Sequence, residues 1–179
     1  MPTRISKDQY YINLAKVAAS RAACYRAHHG CLIVRDDQII STGYNSAPRK
    51  TKDCYERGNC LRREMGIPSG QRYELCRSVH GEQNAIINAA RAGVSLLGGS
   101  MYLYSTVLND EGEEKLINAY PCFICKKMVV NAGIEKIISQ QADGTLKEHF
   151  VQDWVKDWQE KDLTDDMQQY GVKTVKTDK

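Results

Sequence analysis

Apolar positions recur every three to four residues over 6–23. Tyr11, Leu14, Ala15, Ala18 and Ala22 fall at helical intervals there, so the stretch predicts an amphipathic helix. Ser6 and Gln9 have capping-box spacing at its start, and Ile5 and Tyr10 that of a hydrophobic staple. The pattern then changes: "CLIV" (31–34) and "QIISTGY" (38–44), separated by "RDD", predict an antiparallel hairpin. Residues 45–75 are polar and show no period; so long an irregular stretch inside a compact domain is functional or pinned by something. Helical spacing returns from His80 to Ala92 through Ala85, Ile86, Ala89 and Ala90, with Gly93 as the stop. "SMYLYS" (100–105) predicts a strand, and "VLNDEGEEKLINA" (107–119) a polar connection. "PCFICKKMVVNAG" (121–133) predicts a helix closed by Gly133, and "IEKIIS" (134–139) a further strand. Strand, helix, strand in that order is a βαβ unit with a right-handed crossover. Phe150, Trp154 and Trp158 lie four apart on a last helix, and "GVKTVK" (171–176) supplies a final strand. The whole predicts one α/β domain over 1–179, a mixed sheet covered by helices.

Composition changes this picture at one point, the cysteines. With 42% hydrophobic and 26% charged residues, the chain has the balance of a soluble globular protein, and no apolar run approaches the length of a membrane span. The first twenty residues lack a secretory signal, so the expected location is cytoplasmic. A formal net charge of +3 is too slight for a polynucleotide-binding footprint, and no membrane partner is expected. Seven cysteines in a chain expected to meet reducing conditions read as metal ligands rather than disulfides.

Two ligand sets stand where helices begin. His80 heads one helix, and forty-two residues later Cys122 and Cys125 head the next as Cys-x-x-Cys. One imidazole and two thiolates give zinc three protein ligands and leave the fourth tetrahedral position open, as in catalytic sites. The positive ends of the helix dipoles favour the thiolates. Glu82, two residues after His80, then has a task as proton carrier. A structural zinc closed by a fourth residue is the alternative, and it would leave Glu82 without one.

His-x-Glu followed by Pro-Cys-x-x-Cys is the signature of the zinc deaminases of nucleobases. The resemblance extends beyond it. "CYRAHHGCLIV" (24–34), "ISTGYNSAP" (40–48), "CRSVHGEQNAI" (76–86), "SMYLYS" and "AYPCFICKKMVVNAGIEKII" (119–138) run in the order and register of deoxycytidylate (dCMP) deaminases, including bacterial relatives from competence operons. "DDMQQYGVKTV" (165–175) resembles that family's closing helix and strand, whereas 141–165 matches nothing in it. The resemblance implies a cytidine-deaminase-like α/β/α sandwich with a central five-stranded mixed sheet. It implies hydrolysis of dCMP to dUMP and ammonia, with zinc held by His80, Cys122 and Cys125 and with Glu82 carrying protons. A deaminase of another base or nucleotide and a zinc-held binding protein without catalysis remain as alternatives.

The same resemblance implies roles for further residues. Cys24 and Cys54 match positions of a second, structural zinc in some family members; Cys60 and Cys76 would complete a four-cysteine set, a departure from relatives that use other residue types there, and scattered buried cysteines are the alternative. Asn45 matches the family asparagine that holds sugar or base, a turn residue being the alternative. Arg26 is the phosphate candidate, since guanidinium binds phosphate bidentately; an exposed arginine is the alternative. Cys31 reads as a small core residue, and His28 and His29 as surface or core histidines. Family members are commonly hexamers switched by dCTP and dTTP near a Gly-Tyr-Asn-Gly loop. Ser46 replaces the last glycine of that loop here, and Arg49 and Lys50 add positive charge suited to phosphates. A homo-oligomer with a triphosphate response is therefore expected.

Overall fold

The computed structural model describes residues 3–109 and 111–161. Helix α1 (Lys7–Ala19) leads into the hairpin β1 (Ala27–Arg35) and β2 (Gln38–Tyr44). Two single-turn helices, α2 (Cys54–Arg57) and α3 (Leu61–Glu64), and a 3-10 turn at Tyr73–Leu75 follow. Then come α4 (Gly81–Ala92), β3 (Ser100–Leu108), β4 (Glu114–Leu116), α5 (Phe123–Asn131), β5 (Lys136–Gln140), β6 (Leu146–Phe150) and α6 (Val151–Glu160). The sheet order is β2-β1-β3-β5-β6, with β4 paired to the far end of β3. Among the described residues only β3 and β5 run parallel, joined through α5 as the βαβ pattern requires; the other pairs are antiparallel.

Alternation along the central strands builds a core on each face. Leu32 and Val34 of β1, with Tyr102 and Ile138, pack on Tyr11, Ile12 and Ala15 of α1. Cys31 and Ile33, with Met101, Leu103 and Ile137, pack on Ala85 and Ala89 of α4, Val129 of α5 and Trp154 of α6. The result is a three-layer α/β/α sandwich. Asp36 and Asp37 close the hairpin with left-handed backbones, φ 50° and 62°, the conformation of a two-residue type I′ turn. Two glycines set how closely helices approach the sheet. A Cβ at Gly30 would stand 1.8 Å from the Ala15 carbonyl oxygen, and one at Gly43 would stand 2.2 Å from that of Gly81. Gly43 thus seats the first turn of α4. Gly43→Ala is expected to destabilise the fold by about 3 kcal/mol, read as a shift in the urea midpoint; a midpoint within error of wild type would show that α4 can retreat freely.

Several elements differ from the sequence pattern. Helix α1 keeps the Ser6 cap, which accepts from the Gln9 amide at 3.1 Å, but ends at Ala19; Ile5 and Tyr10 stay about half exposed, so no staple is buried there. Residues 45–75 are not wholly irregular. Asp53 and Glu56 form a reciprocal capping box on α2. The polar connection at 107–119 contains β4, which folds back on β3 through charged residues suited to an edge strand. The five strands on the main path include β6, where Phe150 caps rather than joins α6. The expected closing helix and strand at 165–176 lie outside the described residues. Among the described residues no helix is long and apolar enough to cross a membrane.

Candidate active site

The loop before α4 and the loop before α5 end side by side. His80 is the N-cap of α4 and Cys122 the N-cap of α5, both in extended backbone, so each ligand is presented at a helix start. Cys125 follows in the first turn of α5 and is fully buried. His80 Nδ1 lies 3.3 Å from Cys122 Sγ and 3.4 Å from Cys125 Sγ, and among the described residues these three donors form the one group that could close around a metal ion. A tetrahedral zinc separates nitrogen and sulfur donors by roughly 3.6 Å, so the set fits zinc with a shift of a few tenths of an ångström.

The support around His80 is specific. Its backbone N–H donates to Gln83 Oε1 at 3.0 Å, Val79 and Ser46 pair as a β-bridge, and Asn84 Nδ2 donates to the Tyr44 carbonyl at 2.8 Å. Tyr73, delivered by the 3-10 turn, packs edge-on against the His80 ring at 4.9 Å. Arg62 holds that turn: it is 5% exposed, its Nη2 donates to the carbonyls of Pro68 and Gln71, and its guanidinium lies 4.9 Å from the Tyr73 ring.

The electrostatics suit a cation. The Cys125 hydrogen bond, then the hydrogen bond and charge of His80, hold the Cys122 thiol down to about 4, while the same sulfur pair and burial push Cys125 up. As two thiols beside an imidazole the pair ionises once, at Cys122; a dication would ionise both. Burial works against the His80 imidazolium, but Cys122 and Glu82 outweigh it and raise its pKa. Glu82, on the first turn of α4, is 8% exposed, and burial lifts its carboxyl above the usual range against the pull of His80.

His80, Glu82 and Cys122 line a cavity of about 110 Å³. Its floor is the β1–β3 pair, with Cys31 opposite Leu103 and His29 opposite Ser105. Tyr73 and Tyr120 also line it. Tyr120 is backed by Lys126, 4.6 Å over its ring, and by His149 and Trp154, so β6 and α6 from the segment without family counterpart support the wall. Sequence reading missed His29, Ser105, Tyr73 and Tyr120 as cavity residues. Cys31 is fully buried beneath the cavity, as a small core residue should be.

The other candidates fall in different places. Asn45 is not in the cavity lining: its Oδ1 accepts from the His29 amide at 2.8 Å and its Nδ2 donates to the Ala27 carbonyl at 2.9 Å, so it clamps β1. Arg26 is partly buried; Nη2 donates to the Ile67 carbonyl, and Nη1 is buried without a partner among the described residues. Ser46, Arg49 and Lys50 come together around a second cavity of about 220 Å³, which also includes Asp53 and Asn88. Cys24, Cys54, Cys60 and Cys76 approach one another. Burial, then the charges of Cys76 and Cys60, raise Cys24; burial, with Cys24 and Cys60, raises Cys54. No three of their sulfurs gather within 4.8 Å as the first set does.

A mixed sheet carrying His-x-Glu and Cys-x-x-Cys at neighbouring helix starts defines a zinc-binding deaminase domain. Residues 5–141 match the family described as the cytidine and deoxycytidylate deaminase zinc-binding region, and the chain belongs to that family. It is 31% identical to a deoxycytidylate deaminase of Schizosaccharomyces pombe over 75% of this chain and 37% of the yeast protein. With the deoxycytidylate deaminase of Saccharomyces cerevisiae the identity is 33%, over 82% of this chain and 41% of the other. The chain thus spans about two fifths of the length of these curated relatives. The fold is similar to the dCMP deaminase of cyanophage S-TIM5, solved in complex with dCMP and dUMP: TM-score 0.52 and 21% identity over 76% of this chain and 82% of that one.

Proposed function

We propose that this chain, acting as a single domain, catalyses the hydrolytic deamination of dCMP to dUMP and ammonia. The observation that carries the reading is the buried Glu82 carboxyl sharing a cavity with His80 and Cys122, two of the three convergent metal donors. His80, Cys122 and Cys125 would hold zinc, whose Lewis acidity lets water act as a nucleophile near neutral pH. Glu82 takes the proton of the attacking water and delivers it to N3 of the ring. It then takes the second proton from the new C4 hydroxyl and passes it to the amino nitrogen, which leaves as ammonia when the C4–N bond breaks and the C4 carbonyl forms. Tyr73 and Tyr120 line the walls of the cavity. Ammonia release across dCMP, CMP, dCTP and deoxycytidine tests the reading: dCMP is expected to give the highest kcat/KM, and preference for another of the four would replace it as substrate.

We place a second, structural zinc among Cys24, Cys54, Cys60 and Cys76. Support comes from the nearness of Cys60 and Cys76 to Cys24, and of Cys24 and Cys60 to Cys54, and from the pinning that the 54–76 segment needs. The seven free cysteines fit the reducing cytoplasm. Metal analysis of protein purified without added zinc is expected to give two zinc ions per chain and one in Cys54→Ser; one per chain in both would remove the second site.

Regulation follows the same family logic. Ser46, Arg49 and Lys50 line a cavity separate from the catalytic one, suited to a nucleoside triphosphate such as dCTP or dTTP in a homo-oligomer, a hexamer by family resemblance. Asp53 in the same lining opposes a phosphate, and Arg49 is engaged with Asn88 Oδ1 at 2.5 Å. The substrate panel repeated with dCTP and dTTP, alongside light scattering, separates a regulated oligomer from an unregulated monomer.

A further inference from the structure

His29 occupies the cavity floor with half of its hydrogen-bonding capacity unused. Its Nδ1 lies 2.8 Å from Ser105 Oγ, while Nε2 has no partner among the described residues. That nitrogen is also absent from the buried polar atoms lacking partners, so it meets open space. The ring is held from behind: the His29 amide donates to Asn45 Oδ1 at 2.8 Å, and the Asn45 amide donates to the His29 carbonyl at 3.3 Å. His29 and Ser105 lie opposite each other in register and share a face with Cys31 and Leu103. Two residues along a strand is about 7 Å, comparable with the reach from the reacting carbon of a pyrimidine to its far edge and sugar.

We propose that His29, oriented by Ser105, is a specificity-determining residue that hydrogen-bonds the pyrimidine nucleotide through Nε2. This rests on the deaminase reading of the cavity. An imidazole with one nitrogen engaged offers a single donor or acceptor at the other. The Ser105 hydroxyl can donate or accept, so it fixes which nitrogen is bound inside without restricting the pair to one polarity. A valine in the same place would line the cavity equally well and read nothing. The sequence carries no periodic signal for this role, because the pair is made only by the β1–β3 register.

The test compares His29→Val, His29→Gln and Ser105→Ala with wild type for kcat and KM on dCMP, dUMP affinity by calorimetry, and zinc content. His29→Val is expected to raise KM and the dUMP dissociation constant about tenfold, the loss of one hydrogen bond, with zinc content unchanged. His29→Gln should recover part of the affinity, and Ser105→Ala should lose less than His29→Val. Wild type that binds dUMP more tightly than His29→Val yet leaves dCMP intact would overturn the deaminase reading and sustain the contact. Deamination with the same KM and dUMP affinity in His29→Val would overturn the contact alone. Loss of zinc in His29→Val and His29→Gln alike would assign His29 to holding the strands together, and wild type binding no pyrimidine nucleotide would remove both proposals.

Discussion

Glu82→Gln is expected to retain zinc, fold and nucleotide affinity while losing at least a thousandfold in kcat. The amide matches the carboxyl in size and keeps one hydrogen-bond acceptor, so the buried position on α4 stays filled. It cannot accept and release a proton. General acid–base catalysis contributes about 10² to 10⁴ in a single role, and Glu82 would serve in water activation, ring protonation and departure of the amine. Steady-state kinetics beside metal analysis make the measurement. More than a tenth of wild-type kcat with zinc in place would remove Glu82 from the proton path.

The parts of this site that were legible in the sequence are those whose chemistry is local. His80, Glu82, Cys122 and Cys125 sit within a few residues of helix starts, where spacing along the chain translates directly into spacing in space. The hairpin and the β3-α5-β5 unit were legible for the same reason: alternation, helical period and short connections are local properties. His29 was not, because its partner Ser105 is 76 positions away and only the cross-strand register brings them together. Asn45 has the right neighbours in sequence for a substrate contact, yet its amide is engaged at both ends by the β1 backbone. Strands β4 and β6 were missed because each lies at an edge of the pairing and carries charged residues, which weaken the alternation that marks a half-buried strand.

The walls were illegible for a different reason. Tyr73 comes from a turn within the cysteine-rich segment, and it reaches His80 because Arg62 gathers the carbonyls of Pro68 and Gln71. Tyr120 depends on Trp154 and His149, which come from a part of the chain with no recognised counterpart. Aromatic residues in loops carry no periodicity, so their placement is a tertiary property. The cavity therefore combines a metal corner readable from the motif with walls whose aromatic side chains are placed by tertiary contacts.

Cys122→Ala separates metal binding from proton transfer. It is expected to lose the catalytic zinc and to abolish turnover. The sulfur contributes no side-chain cap to α5, Pro121 before it is buried, and the helix continues through the buried Cys125 and Val129. Alanine therefore removes a ligand without removing the packing that starts the helix, and the remaining imidazole and thiol give zinc only two protein donors. Loss of metal, rather than unfolding, is the expected cause of inactivity, with any fall in melting temperature limited to what bound zinc contributes through mass action. With a four-cysteine site present, zinc content should fall from two per chain to one, whereas Glu82→Gln should keep two. Circular dichroism, metal analysis and kinetics on both variants give the comparison. Full zinc content in Cys122→Ala would show that the metal is held elsewhere, and inactivity with full metal in both variants would leave Cys122 a role only in shaping the cavity.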